Sequence, residues 1–385
     1  MRCCMILVCV MGLALLLTTA AVAQDAGEPR VVVGWDFEEG MGPWVASDGL
    51  GATLELVVGD EAAAEGVAAV SVHYNQRPPQ GRNVGGGSAL LWCPGGGPMP
   101  EAPTCLEFAI RSAVTGPFGI VLVSGQGAPY VRWLWLEAGQ WHRPVLYLSQ
   151  LGLFAREVQE PRPTKPLDPL DMFGGGIIDG VQALLGSPPS VPIAVPEPRE
   201  NELRLDAVRF TTRTPPGEFL VCDPGDAVPS FAALCNPTAP IERVEMGEGQ
   251  AAWRVAYELP AGKIGGIHWF LGPNLTEGTV GIEMVLRSSV QGELVLFVNS
   301  VDQREFLAPV TVTPGEVSTV QVLWEEMRPS KDGEVLAADD PRAGDHLGGQ
   351  EVQDLSLGDG ASLLSGEASA NVLEIGTIRL LRAGG

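Results

Sequence analysis

LEFAIRSAVTG (residues 106–116) and IEMVLRSSVQG (residues 282–292) are nearly the same stretch, written twice at an offset of 176. From 106 to 151 the copies align without a gap. Glu107 meets Glu283, Arg111 meets Arg287, Ser112 meets Ser288 and Gly116 meets Gly292, and Gly139 falls on Gly315 in matching turns. Upstream, VAAVSVHY (67–74) matches QAAWRVAY (250–257) and Trp92 matches Trp269; downstream, NELRLDAVRF (201–210) matches NVLEIGTIRL (371–380). A unit of roughly 170 to 180 residues is too long for a solenoid repeat and has the size of a self-sufficient domain. The chain is therefore expected to hold two copies of one domain, over 30–213 and 217–382.

Inside each unit the period is two. Leu106, Phe108 and Ile110 alternate with Glu107, Ala109 and Arg111, as Ile282, Met284 and Leu286 alternate with Glu283, Val285 and Arg287. That is a strand with one buried face. Similar alternation recurs over 118–123, 131–136, 203–210, 294–299, 307–312 and 372–380, with turn residues between the runs. Many short strands so punctuated predict an all-β fold of two tandem β-sandwiches. Thr212-Arg213-Thr214-Pro215-Pro216-Gly217 makes a short linker, since adjacent prolines exclude helix and central strand. Each unit has one long, weakly patterned insertion, about 152–200 and about 328–370. Within the first, IIDGVQALL (177–185) is the best helical candidate and GGGIIDG (174–180) reads as a turn.

The unit opening WDFEEGMGPW (35–44) and the closing strand LRLDAVRF (203–210) resemble the jelly-roll carbohydrate-binding modules of the galactose-binding-like type. The resemblance covers most of the first unit and less of the second. It implies a non-catalytic, glycan-binding jelly roll. It also implies a structural calcium between an acidic residue near the first strand and an aspartate in the last. Asp36 or Glu38 with Asp206 match those positions, whereas Gly376 stands in place of Asp206 in the second unit. The ion is expected in the first unit only, the alternative being that Asp206 pairs with an arginine or a backbone amide.

The opening residues 1–24 have one basic residue, an apolar stretch from Met5 to Leu17 and the small-residue ending Ala21-Val22-Ala23, the pattern of a cleaved secretory signal peptide. That apolar stretch is shorter than a membrane span, so an extracytoplasmic protein without membrane insertion is expected. Cys3, Cys4 and Cys9 precede the cleavage site, and none holds the position of a lipidated cysteine. Four cysteines remain. Cys93 with Cys105 and Cys222 with Cys235 are the simplest disulfide pairs in an oxidising compartment, free structural thiols being the alternative; spacings of 12 and 13 do not make zinc ligand pairs. Removal of the leader, whose one charged residue is Arg2, takes the formal charge from −23 to −24. A polyanion of that size is repelled by phosphate backbones, so nucleic acid is not expected as a partner.

YVRWLWLEAGQW (130–141) carries the candidate ligand surface. Leu134 and Leu136 match Val310 and Val312, so that parity is core; Val131, Trp133 and Trp135 match Leu307, Pro309 and Thr311, and take the other face. Indoles two residues apart lie about 6–7 Å apart on one side of a strand and can stack on successive sugar rings. Arg111 and Glu107, at outward parity on an adjacent element, can bind hydroxyls. The competing expectation is that the insertion or the second unit buries both indoles, and that Glu107, Arg111, Glu283 and Arg287 form cross-strand ion pairs. His73, His142, His268 and His346 fall in no HExxH pattern, and the chain has no GxSxG elbow or CxxC pair, so no enzyme is expected. ADDPRAGDH (338–346) lacks the ligand order of a calcium loop and reads as solvated; the Asn274-Leu275-Thr276 sequon matters only in a glycosylating source.

Two functions follow. The first is a secreted binding protein recognising polysaccharide through the first domain. The second is a structural or protein-interaction component of an exported assembly. Solvent exposure of Trp133 and Trp135 separates them.

Overall fold

The computed structural model describes residues 29–46, 51–75, 88–92, 99, 101–153, 167–168, 172–179, 200–233, 237–247, 249–259, 266–289, 293–331, 334–359 and 369–383. The expected leader, Cys93, Cys235 and the helical candidate beyond Asp179 lie outside the described residues.

Four antiparallel sheets make two sandwiches. In the first, a seven-stranded sheet runs Val145–Tyr147, Cys105–Ser112, Glu200–Thr211, Ala68–Asn75, Thr53–Val58; Val31–Trp35 joins Glu200–Thr211 and Trp141–His142 joins Cys105–Ser112. Its six-stranded partner runs Gly152–Leu153, Pro129–Leu136, Gly116–Ser124, Met172–Asp179, Ser88–Trp92, Trp44–Ala46. The second sandwich repeats the plan. Its six-stranded sheet runs Ser318–Leu323, Thr279–Ser288, Ser369–Arg382, Ala251–Leu259, Glu242–Glu245, with Leu220–Cys222 beside Ser369–Arg382. Its seven-stranded sheet runs Glu334–Val335, Arg328–Lys331, Glu305–Thr311, Glu293–Ser300, Val352–Asp359, Gly266–Phe270, Ala232–Ala233. Corresponding strands take corresponding places, in the tandem β-sandwich arrangement of the jelly-roll kind.

The alternating residues behave as their period requires. Leu106, Phe108, Ile110, Leu134, Leu136, Leu203 and Leu205 belong to one buried cluster, and Ile282, Met284, Leu286, Val310, Val312 and Leu373 to the other. Full burial of each such side chain stabilises by about 1.5–3 kcal/mol, which holds the two sheets of a sandwich together.

Three expectations are corrected. GGGIID is not a turn: Met172–Asp179 is an interior strand between Gly116–Ser124 and Ser88–Trp92, and Val352–Asp359 holds the same place in the second insertion. Met172, Gly174, Gly175 and Ile177 are buried, so the strand shows no alternation among its described side chains, and pairing on both sides offsets the poor strand preference of glycine. Cys105 and Cys222 are free, buried thiols, Cys105 pushed up to about 12 and Cys222 pushed up as well by desolvation, and no disulfide forms among the described residues. ADDPRAGDH is pinned as well as solvated, because Arg304 holds Asp345 at 3.2 Å and Glu351 at 2.8 Å.

The sandwiches meet through their other two sheets. Val121, Val131 and Trp133, pointing away from the first core, pack on Phe270, which points away from the second. Asn274 clamps the junction: its Oδ1 accepts from Leu153 N at 2.6 Å and its Nδ2 donates to Leu151 O at 2.9 Å. A Cβ on Gly152 would lie 1.9 Å from Leu271 O, so only glycine permits this approach. The sequon asparagine thus has its amide committed to the backbone of the other sandwich.

Candidate functional site

The structure separates the four residues expected to form one glycan site. Trp133 and Trp135 point away from the first core, as their parity requires, but are only 5% and 3% exposed. Trp133 lies under Phe270, and Trp135 joins the core cluster of the second sandwich. Trp135 N donates to Pro229 O at 2.9 Å, and its Nε1 donates to Glu137 Oε1 at 3.0 Å, an oxygen that also accepts from Ile241 N. Neither indole offers a face to a ligand in this arrangement. Nor are Arg111 and Glu107 on a neighbouring strand: Cys105–Ser112 belongs to the seven-stranded sheet, Pro129–Leu136 to the six-stranded one. The two pairs therefore face opposite sides of the sandwich.

The expected calcium ligands do not converge. Asp206 is fully buried; its Oδ2 accepts from Ala64 N and Glu65 N at 2.8 Å each, and its Oδ1 from Ala207 N at 2.6 Å. Burial raises the Asp206 carboxyl above its ordinary range against these three donors. Glu38 Oε1 accepts from Val67 N at 2.8 Å and Ala68 N at 3.0 Å, and Asp36 Oδ1 accepts from Glu38 N at 3.2 Å. Calcium needs several oxygens turned toward one ion, whereas both oxygens of Asp206 and Oε1 of Glu38 are turned toward backbone N–H groups. Among the described residues no three His, Cys, Asp or Glu gather as metal ligands. The residues present do not fit the ion. Asp206 and Glu38 instead hold one loop, 64–68, from two sides.

What the fold does assemble is the outer face of the first sandwich's seven-stranded sheet. Strand register sets Glu55, Ser71, Arg204, Arg111 and Trp141 directly opposite one another across five strands. Directly opposed side chains have Cβ atoms about 4.5–5.5 Å apart, so this is one continuous row. Trp141 is half-exposed at its end and belongs to neither sandwich's core cluster. Arg204 Nε donates to Glu202 Oε1 at 2.6 Å, and Ser71 Oγ donates to the same oxygen at 2.9 Å. Burial alone would raise the Glu202 carboxyl, but these bonds outweigh it and hold it below the ordinary carboxylate range. Glu107 takes Arg213, in the linker beyond the closing strand, in a two-pronged pair at 3.0 Å and Thr211 of that strand at 2.9 Å, and it makes no ion pair with Arg111. Arg111, half-buried, has no hydrogen-bond or ion-pair partner among the described residues.

Ser71, His73 and Glu55 touch in sequence on this face but cannot act as a nucleophile relay. His73 Nε2 lies 3.4 Å from Ser71 Oγ and 3.1 Å from Glu55 Oε1. A relay needs the two ring nitrogens to serve the two partners separately; here one nitrogen faces both, and the serine proton goes to Glu202.

Trp141, Arg204, Glu202, Ser71, His73 and Glu55 were not picked out by sequence. Trp141 closes the very stretch that carries Trp133 and Trp135, and Arg204 and Glu202 share the outward parity of the closing strand. The missing signal is inter-strand register, which no periodicity within a strand supplies.

No protein-family model matches the chain, and no curated protein sequence matches it. Solved structures to which it is similar include the family 11 carbohydrate-binding module of the cellulosomal cellulase Lic26A-Cel5E of Clostridium thermocellum, at 13% identity over 47% of this chain and 93% of that one, TM-score 0.32. Another is the N-terminal CBM22-1-CBM22-2 tandem domain of Paenibacillus barcinonensis Xyn10C, at 10% identity over 91% and 98%, TM-score 0.28. A third is an exo-beta-agarase, at 14% identity over 47% and 25%, TM-score 0.30.

Proposed function

We propose that the chain is a non-catalytic, extracytoplasmic carbohydrate-binding protein that takes a glycan on the outer face of the first sandwich's seven-stranded sheet. One observation carries this: a half-buried indole, Trp141, stands in register with a row of polar and charged side chains on the outer face of the sheet. A flat ring stacks on the apolar face of a sugar, and the guanidinium and carboxylate groups beside it can bond the sugar hydroxyls, whereas Ser71 is fully buried and only braces Glu202. The burial of Trp133 and Trp135 moves the site away from their strand.

That burial also favours a second reading, a structural or protein-interaction component, since these indoles then serve to lock two sandwiches into one body. Tryptophan fluorescence of the full chain, titrated against soluble neutral and acidic polysaccharides, decides between them. A saturable shift that weakens about tenfold in Trp141→Ala is expected, with the melting temperature of the variant unchanged. No saturable shift across the panel would remove the glycan reading and leave the scaffold.

A further inference from the structure

The corresponding row of the second sandwich shows what the first one lacks. There Glu242, Arg254, Glu374 and Arg287 stand directly opposite one another across four strands. Arg254 bonds Glu242 at 3.2 Å and Glu374 at 2.8 Å, and Arg287 bonds the other oxygen of Glu374. Each charge there has an opposite neighbour. In the first sandwich Arg111 takes the place of Arg287, but Arg204 takes the place of Glu374, so two arginines are opposed with no carboxylate between them. Like charges directly opposed across strands destabilise a sheet. Arg204 turns along its own strand to Glu202 and leaves Arg111 without a partner among the described residues.

Resting on the glycan reading above, we propose that the ligand is an acidic polysaccharide, and that a uronate carboxylate bridges Arg111 and Arg204, supplying the shared anion that Glu374 supplies to Arg254 and Arg287 in the second sandwich. An arginine fork matches a carboxylate in two parallel hydrogen bonds, and a guanidinium sheds water more readily than an ammonium. Trp141, next to Arg111 in the row, stacks on the ring that carries the carboxylate. The strong negative charge of the chain does not oppose this at physiological salt, where charges more than about 8 Å away are largely screened.

The experiment is affinity electrophoresis and calorimetry of the full chain at 0.15 M salt (roughly physiological strength) with polygalacturonate, a neutral mixed-linked β-glucan and dextran sulfate. Polygalacturonate is expected to bind at least about tenfold more tightly than either of the others. Arg204→Gln, which removes one of the two arginines with little effect on stability, should weaken that binding at least about tenfold, and Arg111→Gln should weaken it about tenfold. Trp141→Ala should weaken it about tenfold as well. Equal or tighter binding of the neutral glucan, still dependent on Trp141, overturns the acidic ligand and leaves the glycan site standing. Binding of dextran sulfate as tight as polygalacturonate and indifferent to Arg204→Gln overturns the carboxylate seat as well, as attraction to any polyanion. No binding of any polymer overturns both proposals together.

Discussion

The two sandwiches share strand order, core parity and the bulge in the closing strand, yet they finish their polar faces in opposite ways. In the second, Glu374 lies with its side chain only 5% exposed between two arginines, and the row is electrically closed by the protein itself. In the first, the same position is an arginine, the row ends in an indole, and Arg111 is left over. A duplicated fold must keep its cores alike in both copies, but the outward residues of one copy are free to change. The difference therefore points to the copy that does something beyond holding itself together.

The contrast can be broken by a matched pair of substitutions. Glu374→Gln removes the one anion that Arg254 and Arg287 share, and hydrogen bonds to charged groups contribute about 1.5–3 kcal/mol. A loss of about 2–3 kcal/mol in urea unfolding is expected on that basis. Arg204→Gln at the matching position should change stability by less than about 1 kcal/mol, since its pair with Glu202 is partly solvated. Equal losses from the two variants would show that the first row is as closed as the second and would take away the reason to seek a ligand there.

The sequence made part of this legible. The repeat told core from surface parity at Leu134 and Leu136, because both copies are apolar there, and the prediction of two sandwiches rests on the same comparison. It did not tell which sheet a strand joins. Trp133 and Arg111 are both outward, yet outward on sheets that face opposite ways, and one of those faces is the junction with the second sandwich. Nor did pattern find Met172–Asp179, whose glycines are read locally as a turn while its neighbours on both sides make it a strand. The row Glu55, Ser71, Arg204, Arg111 and Trp141 draws on five strands up to about 150 positions apart, and its alignment depends on register that only the packed sheets define.

A second contrast sits at the bulge. Asp206 in the first sandwich grips Ala64 and Glu65 through their N–H groups; in the second, Gly376 leaves room that the Met246 side chain fills, its Cε 2.9 Å from where a Cβ would stand. The same strand-to-loop join is made by hydrogen bonds in one copy and by apolar contact in the other. Asp206→Gly, which copies the glycine without the methionine, strands the half-buried Ala64 and Glu65 donors and the buried Ala207 donor and should cost about 1–2 kcal/mol. A neutral result in urea unfolding would mean that the loop is held by other contacts, and the two joins would not be equivalents.

The smallest expected effect sharpens the same contrast. If calcium bridged Asp206 to the opening turn, a saturating ion would stabilise the first sandwich and leave the second untouched. At a concentration a hundred times its dissociation constant, an ion binding only the folded state contributes about 2.7 kcal/mol, enough to raise the melting temperature by several degrees. The carboxylate oxygens of Asp206 and Glu38 already accept five backbone N–H bonds, and a cation would have to displace those donors before it could coordinate. Millimolar calcium and excess chelator should therefore give melting temperatures within about 1 °C of each other. A rise of several degrees with calcium, absent in Asp206→Asn, would show that the loop 64–68 rearranges to admit the ion, and the first sandwich would then owe its distinct stability to a metal instead of to its own amides.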